Sequence, residues 1–460
     1  MPFPTPSRAA RTLCAIAALL GPVVAAGCAR PPEFDIVISG GTVHEGSGQA
    51  PVRADVAIAG DRIAAVGPGL AARGAGLVID ASGKAVSPGF ININSRSGVT
   101  LLADGTGESH LRQGITTELL TGETPASWTP QTAPESDVAL LRRFGLVVDW
   151  SGMNPYLERL EQRGISSNIG VFTPVASMVT GGAGTVQALS AALDTEMRNG
   201  SFGVWIDRSA PAPSTFDVGA LTALAAVVQR HNGGYLSTVP TDVPLDQSVR
   251  DAIAILSAAG LEGLGLTVGP ENQIQMSGAI APIVDLAWQE RQQRGRHLHF
   301  VVDPYPLSPA ADVESDLRSL VTFVNSTIGT GTAAVRADGI LSTLPVRPAA
   351  YGAIPRLLGH HVRDRQAIPL EDALVRLTSL PAVGFRVAQR GFLRPGLFAD
   401  VVVFDPATIA DLSTVDRPAV YPSGIDYAIV NGVVTVTPKG HTGARAGRAL
   451  RGPGFPRPTS

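Results

Sequence analysis

Residues 88–98, Pro-Gly-Phe-Ile-Asn-Ile-Asn-Ser-Arg-Ser-Gly, mark a change of pattern along the chain. Upstream, Phe34–Ser39, Asp55–Ala59 and Arg62–Val66 alternate or run apolar, with Gly60-Asp61 as a tight turn between the last two. Val78–Asp80 and Ala85–Ser87 continue this hairpin-rich β segment. Downstream, short apolar runs alternate with helical stretches. The runs are Phe90–Asn94, Thr116–Leu120, Ile169–Phe172, Gly203–Ile206, Tyr235–Thr238, Gly263–Thr267, His299–Asp303 and Ala333–Ala337. Between them, Asp217–Arg230, Gln247–Ala259 and Pro282–Arg294 read as amphipathic helices, each with a glycine at or just past its end, where a left-handed cap is favoured. Eight strands with intervening helices predict a (β/α)8 barrel. A doubly wound sheet is the alternative, because short apolar runs are ambiguous.

After a last helix, Leu370–Leu380, β character returns in Ala399–Phe404 and Tyr427–Val436, with Asn431-Gly432 as a hairpin turn. The flanks, 29–87 and 386–454, are therefore expected to pair into one small β-sandwich domain beside a barrel at 88–385, leaving 455–460 as a tail. A chain of 460 residues, 44% hydrophobic and 16% charged, suits one large and one smaller globular domain. The net charge of −3 and the lack of a basic stripe argue against nucleic-acid binding. Lys84 and Lys439 are the two lysines, so a carbamylated lysine bridging two metals is excluded between them.

The N-terminus carries Arg8 and Arg11, then the apolar run Leu13–Ala26, then Gly27-Cys28. This is the layout of an export signal, too short and too broken by Gly21-Pro22 to span a bilayer comfortably. Ala25-Ala26-Gly27-Cys28 resembles a bacterial lipobox, which predicts cleavage before Cys28, lipidation of its thiol and a cell-envelope location with membrane contact through the lipid anchor only. An ordinary signal peptide with an incidental cysteine is the alternative. With Cys14 and Cys28 both consumed in this way, the mature body has no thiol to offer a metal.

Several phrases point to a family. They are Pro88-Gly89-Phe90-Ile91, Leu111-Arg112-Gln113-Gly114-Ile115-Thr116-Thr117-Glu118, Asp303-Pro304-Tyr305-Pro306 and Tyr351-Gly352-Ala353-Ile354-Pro355-Arg356. The run continues through Thr378-Ser379-Leu380-Pro381, Phe404-Asp405-Pro406-Ala407-Thr408, Gly424-Ile425-Asp426-Tyr427 and His441-Thr442-Gly443-Ala444-Arg445. In this order they resemble the amidohydrolase superfamily, and within it the N-acyl-D-amino-acid deacylases. The resemblance implies hydrolysis of a non-peptide C–N bond by a zinc-activated water, an aspartate after strand eight to handle the proton, and an acyl-amino-acid-like ligand.

The same resemblance shows where this chain departs. The His-x-His expected after strand one falls on Asn94 and Arg96. A neutral amide is a weak zinc donor, and a permanently charged guanidinium repels a dication. The ligand after strand two falls on Glu123, a carboxylate that could still bind metal. The histidines of strands five and six fall near Thr238 and Thr267, and the catalytic aspartate falls on Asp338. The following His-Pro-Arg falls near Arg347-Pro348-Ala349. None of the eight histidines is expected at a strand's C-terminal end, where a barrel keeps its ligands; His297 and His299 open strand seven at the opposite end. No cofactor is therefore expected. Glu123 and Asp338 read either as an acid/base or oxygen-ligand pair, or with Glu123 ion-paired to Arg96. Asp303 and Tyr305 end strand seven, with Tyr305 a ligand contact or a wall residue, and Trp205 reads as core. Three functions remain open: a barrel that binds a small acyl-amino-acid-like ligand with zinc catalysis lost, a hydrolase working through Glu123 and Asp338, and a non-catalytic scaffold.

Overall fold

The computed structural model describes residues 32–456 except 123, 130, 210–215, 270–271, 273–278 and 306–310, with 311–313 described by their backbone alone. The expected export signal and Cys28 lie outside the described residues. Among the described residues no helix is long and apolar enough to cross a membrane.

Eight parallel strands run in sequential order around the barrel: Phe90–Ser95, Ile115–Leu120, Asn168–Pro174, Gly203–Ile206, Gly234–Thr238, Gly263–Val268, His297–Val302 and Ser326–Ile328. The seam between first and last closes just past their ends. There Ser95 pairs in parallel with Thr332, Arg96 N–H donates to Thr332 O at 2.9 Å, and Gly331 N–H donates to Asn94 O at 2.9 Å. Ile91, Ile93, Leu119, Phe172, Trp205, Leu236 and Val301 come from six different strands yet form one cluster with Phe385, which fills the barrel interior with side chains. A larger cluster packs the outer strand faces against helices such as Val218–Arg230, Leu245–Ala259 and Ile280–Arg294. Asp217 caps the first of these by accepting from Ala220 N–H at 2.7 Å, and Gly260 and Gly295 close the other two at φ 70° and 65°.

Seven barrel strands lie where the apolar runs predict them. The eighth is a correction: it is Ser326–Ile328, and the expected Ala333–Ala337 lies outside any strand. Two of its three residues carry hydroxyls, so hydrophobic patterning passes over it. The Thr327 hydroxyl is satisfied by donating to Arg376 O at 2.6 Å, whereas Ser326 Oγ is buried without a partner among the described residues.

The flanks pair as expected, in one nine-stranded mixed sheet. Ala85–Pro88 and Val401–Phe404 join the N-terminal and C-terminal strands antiparallel, with Val403 opposite Val86. Ile36, Ile38, Val56, Val401, Val403 and Ile429 supply its core. The buried Asp400 carboxylate bolts this sheet to the barrel. It takes bonds from Arg390, from Asn431 N–H at 2.8 Å and from Asn168 Nδ2 of strand three at 3.2 Å, while Asn431 Nδ2 donates to Asn168 Oδ1 at 2.8 Å.

Candidate functional site

The C-terminal ends of the barrel strands surround a cavity of about 420 Å³, a size suited to a small ligand. Val99, Leu140, Val175 and Leu344 give it apolar walls, and Arg96, Trp205, Asp137 and Asp207 supply polar groups. Arg96 is exposed and makes no side-chain hydrogen bond or ion pair among the described residues. Trp205, on strand four, is 1% exposed, and its buried indole N–H has no partner among the described residues. Leaving such a donor unsatisfied costs about 1–3 kcal/mol. Burial pushes the Asp137 carboxyl above its ordinary range.

The other residues singled out by sequence are engaged in the wall. Asn94 Oδ1 accepts from Thr121 Oγ1 at 2.7 Å. Asn92, two residues earlier, donates to Thr330 Oγ1 at 2.9 Å and accepts from Thr330 N–H at 3.2 Å. Amides therefore stitch strand one to the segment that leaves strand eight. A methyl group on Gly329 would stand 2.7 Å from Asn94 Cβ, so this part of the seam is closely packed. Thr238 Oγ1 accepts from Arg208 N–H at 2.7 Å, and Thr267 Oγ1 donates to Ser237 O at 3.2 Å. The Asp303 side chain, 4% exposed, accepts from Arg347 Nη1 at 2.7 Å, and Arg347 Nη2 donates to Thr330 O at 3.3 Å. Tyr305 lies away from the cavity, its ring beneath the Arg356 guanidinium at 5.0 Å.

Asp338 requires a correction. Strand eight ends at Ile328 and leads into Gly329-Thr330-Gly331, so no carboxylate stands at its mouth. Asp338 lies well beyond, with a side chain 72% exposed and bonded to Arg336 at 2.8 Å, which holds its carboxyl below the ordinary range. It borders a separate cleft with Glu108, Arg112 and His441. The expected pairing of Asp338 with Glu123 near the axis does not form on the Asp338 side, and Glu123 itself lies outside the described residues. His231, which caps the C-terminus of Val218–Arg230, pairs with Asp194 at 2.7 Å.

Sequence reasoning missed a buried charged network beside the mouth. Glu118, on strand two and fully buried, accepts at Oε2 from Ser95 Oγ (2.6 Å) and Ser97 Oγ (2.8 Å), with His110 Nδ1 at 2.8 Å. Ser167 Oγ donates to Oε1 at 3.1 Å. The available signal was a lone acid inside an otherwise uncharged strand, Ile115–Leu120.

A profile described as the Amidohydrolase family matches residues 324–436. D-aminoacylase of Alcaligenes xylosoxydans xylosoxydans is 28% identical, the alignment covering 91% of this chain and 97% of that protein. N-acyl-D-glutamate deacylase of the same organism is 26% identical over the same shares. Among solved structures, D-aminoacylase superposes with a TM-score of 0.77 at 24% identity, covering 91% of this chain and all (100%) of that one. N-acyl-D-glutamate deacylase from Bordetella bronchiseptica, solved with zinc and a phosphonate inhibitor, gives 0.75 at 23% identity, covering 91% and 99%.

Proposed function

We propose that this amidohydrolase-superfamily chain, D-aminoacylase-like in fold and sequence, binds a carboxylate-bearing, N-acyl-amino-acid-like ligand at its barrel mouth and has lost zinc-dependent hydrolysis. The observation that carries the reading is the exposed Arg96 guanidinium, with no side-chain bond among the described residues, in one cavity with apolar walls. A guanidinium suits a carboxylate, and the apolar walls suit an acyl or side-chain body.

The donors available do not fit zinc. Zinc sites use imidazole, thiolate or carboxylate. Asn94, Thr238 and Thr267 are neutral oxygen donors already bonded within the wall, and Arg96 brings a fixed positive charge. Among the described residues, no group of three or more His, Cys, Asp or Glu donors gathers at the mouth. A hydrolase working through Asp338 is disfavoured by that residue's exposure and its bond to Arg336. Export and lipidation at Cys28 belong to the same proposal and rest on the Ala25–Cys28 sequence alone. Loss of labelled palmitate incorporation in Cys28→Ala tests them.

The mouth reading is tested with N-acetyl-D-amino acids and their carboxamides, which lack the carboxylate. The acids are expected to raise the melting temperature and the amides are not, since only a ligand of the folded state stabilises. Arg96→Gln should weaken binding about 10–100-fold, the worth of one charge-assisted bond. Glu123→Gln should leave binding intact, or strengthen it if Glu123 offsets Arg96. No ligand effect would favour a scaffold. Zinc-stimulated deacetylation that Glu123→Gln abolishes would overturn the proposal.

A further inference from the structure

We propose that Glu314, His360 and His361 form a site for one divalent transition-metal ion between the helix following strand seven and the helix following strand eight. These helices are Ala311–Thr322 and Arg356–Asp364. The three side chains each place one donor atom within 4.8 Å of the other two, and His360 Nε2 lies 3.0 Å from Glu314 Oε1. None of them lines the mouth cavity.

His361 supplies the independent observation. It is 1% exposed, and its Nε2 is buried with no hydrogen-bond partner among the described residues. Burial, with help from His360 and Arg356, disfavours its protonated form. A hidden neutral nitrogen is an uncompensated cost that a metal ion would remove. The helix that carries it is of the wide π type, in which successive residues turn through a smaller angle than the about 100° of an α-helix. Adjacent histidines therefore approach one another, their rings 4.9 Å apart at 85°.

Two imidazoles and one carboxylate are a set that zinc accepts with a position left for water, and the nitrogen donors favour zinc, nickel or copper over magnesium or calcium. The side chains of His360 and Glu314 are 28% and 29% exposed, which leaves an entry path and room to rotate. Ligation at about 2.0–2.2 Å needs the donors to close to about 3.4 Å apart, and those two side chains can make that movement. Arg356 is the nearby cation to weigh. Its Nη2 lies 3.9 Å from Glu314 Oε2, the oxygen away from the His360 contact, and its Nε donates to Pro304 O at 2.8 Å. It thus orients the carboxylate from outside, whereas Arg96 would occupy a ligand position itself.

The experiment uses the purified protein, stripped with chelator, dialysed against micromolar zinc and counted by inductively coupled plasma mass spectrometry. About one zinc per chain is expected, falling below about a fifth in His361→Phe and binding at least about ten-fold more weakly in Glu314→Gln, while Glu123→Gln keeps it. Copper-loaded wild type should show two-imidazole nitrogen splitting in its electron paramagnetic resonance spectrum, a readout that needs no variant to fold. Stripped wild type that takes up no stoichiometric zinc overturns the site, as does uptake unchanged in both His361→Phe and Glu314→Gln, or copper without the nitrogen splitting. Zinc lost in Glu123→Gln yet kept in His361→Phe would move the ion to the mouth and overturn both proposals.

Discussion

Removing the Glu118 carboxylate strips an acceptor from four buried groups at once: Ser95, Ser97, His110 and Ser167. Burial by itself would raise the carboxyl's pKa, but the His110 charge and the serine hydroxyls outweigh it and hold the group below the ordinary glutamate value of 4.5. Leaving buried donors without their acceptor costs about 1–3 kcal/mol for each group, so about 3–5 kcal/mol is expected for four that share one acceptor. The four bonds share one acceptor group, so their separate worths do not add. We expect Glu118→Ala to lose about 3–5 kcal/mol in reversible urea denaturation at pH 7.5, followed by tryptophan fluorescence and circular dichroism. Glu118→Gln keeps one carbonyl for Ser95, Ser97 and His110 and turns an amide toward Ser167, so about 1–2 kcal/mol is expected. The pH dependence has a fixed sign. A group whose folded pKa is depressed contributes fully above its unfolded pKa of about 4.5 and loses that contribution as pH falls through the folded pKa. Glu118→Gln should flatten the acid limb of the wild-type stability curve below about pH 4.5. A loss under about 1 kcal/mol for Glu118→Ala, or a Gln variant as weak as the Ala variant, would refute the reasoning.

Other variants test other links. Arg347→Ala removes the bond to the Asp303 carboxylate, but the Arg347 side chain is 44% exposed and Asp303 Oδ1 still accepts from Tyr305 N–H at 3.1 Å, so a loss of only about 1 kcal/mol is expected in urea denaturation. Gly352→Ala would ordinarily favour a helix, yet its methyl would meet Asp411 Oδ1 at 2.0 Å and the Tyr305 hydroxyl at 2.3 Å, so a loss of about 1–3 kcal/mol is expected. Asp338→Asn should leave both the urea midpoint and the ligand-induced rise in melting temperature unchanged; any loss of ligand response would return Asp338 to the mouth.

Legibility in the sequence followed the physics of each element. Seven barrel strands announce themselves because their apolar residues are buried on both faces, as Gly263–Val268 and His297–Val302 are. Ser326–Ile328 hides because it is three residues long with two hydroxyls, and what holds it, pairing with His297–Val302 and the Thr327 bond to Arg376 O, is encoded by no local pattern. That one slip displaced Asp338 from the rim to the mouth. Arg96 at the cavity was legible from the phrase beginning Pro88-Gly89, since the strand it opens ends at Ser95. The Glu118 network was not, because its partners lie at 95, 97, 110 and 167 and meet only when strands one to three are side by side. The Trp205 N–H is a similar case: a missing bond has no sequence signature.

The Asp400 junction bears on how this protein can be cut. Asn168 belongs to a barrel strand, whereas Arg390, Asp400 and Asn431 come from the C-terminal flank, and the four side chains complete one another's bonds. A barrel expressed without residues beyond 385 would leave the Asn168 carboxamide facing a void. Denaturation should accordingly proceed as a single step shared by sheet and barrel, and neither half is a sound starting piece for grafting onto another protein.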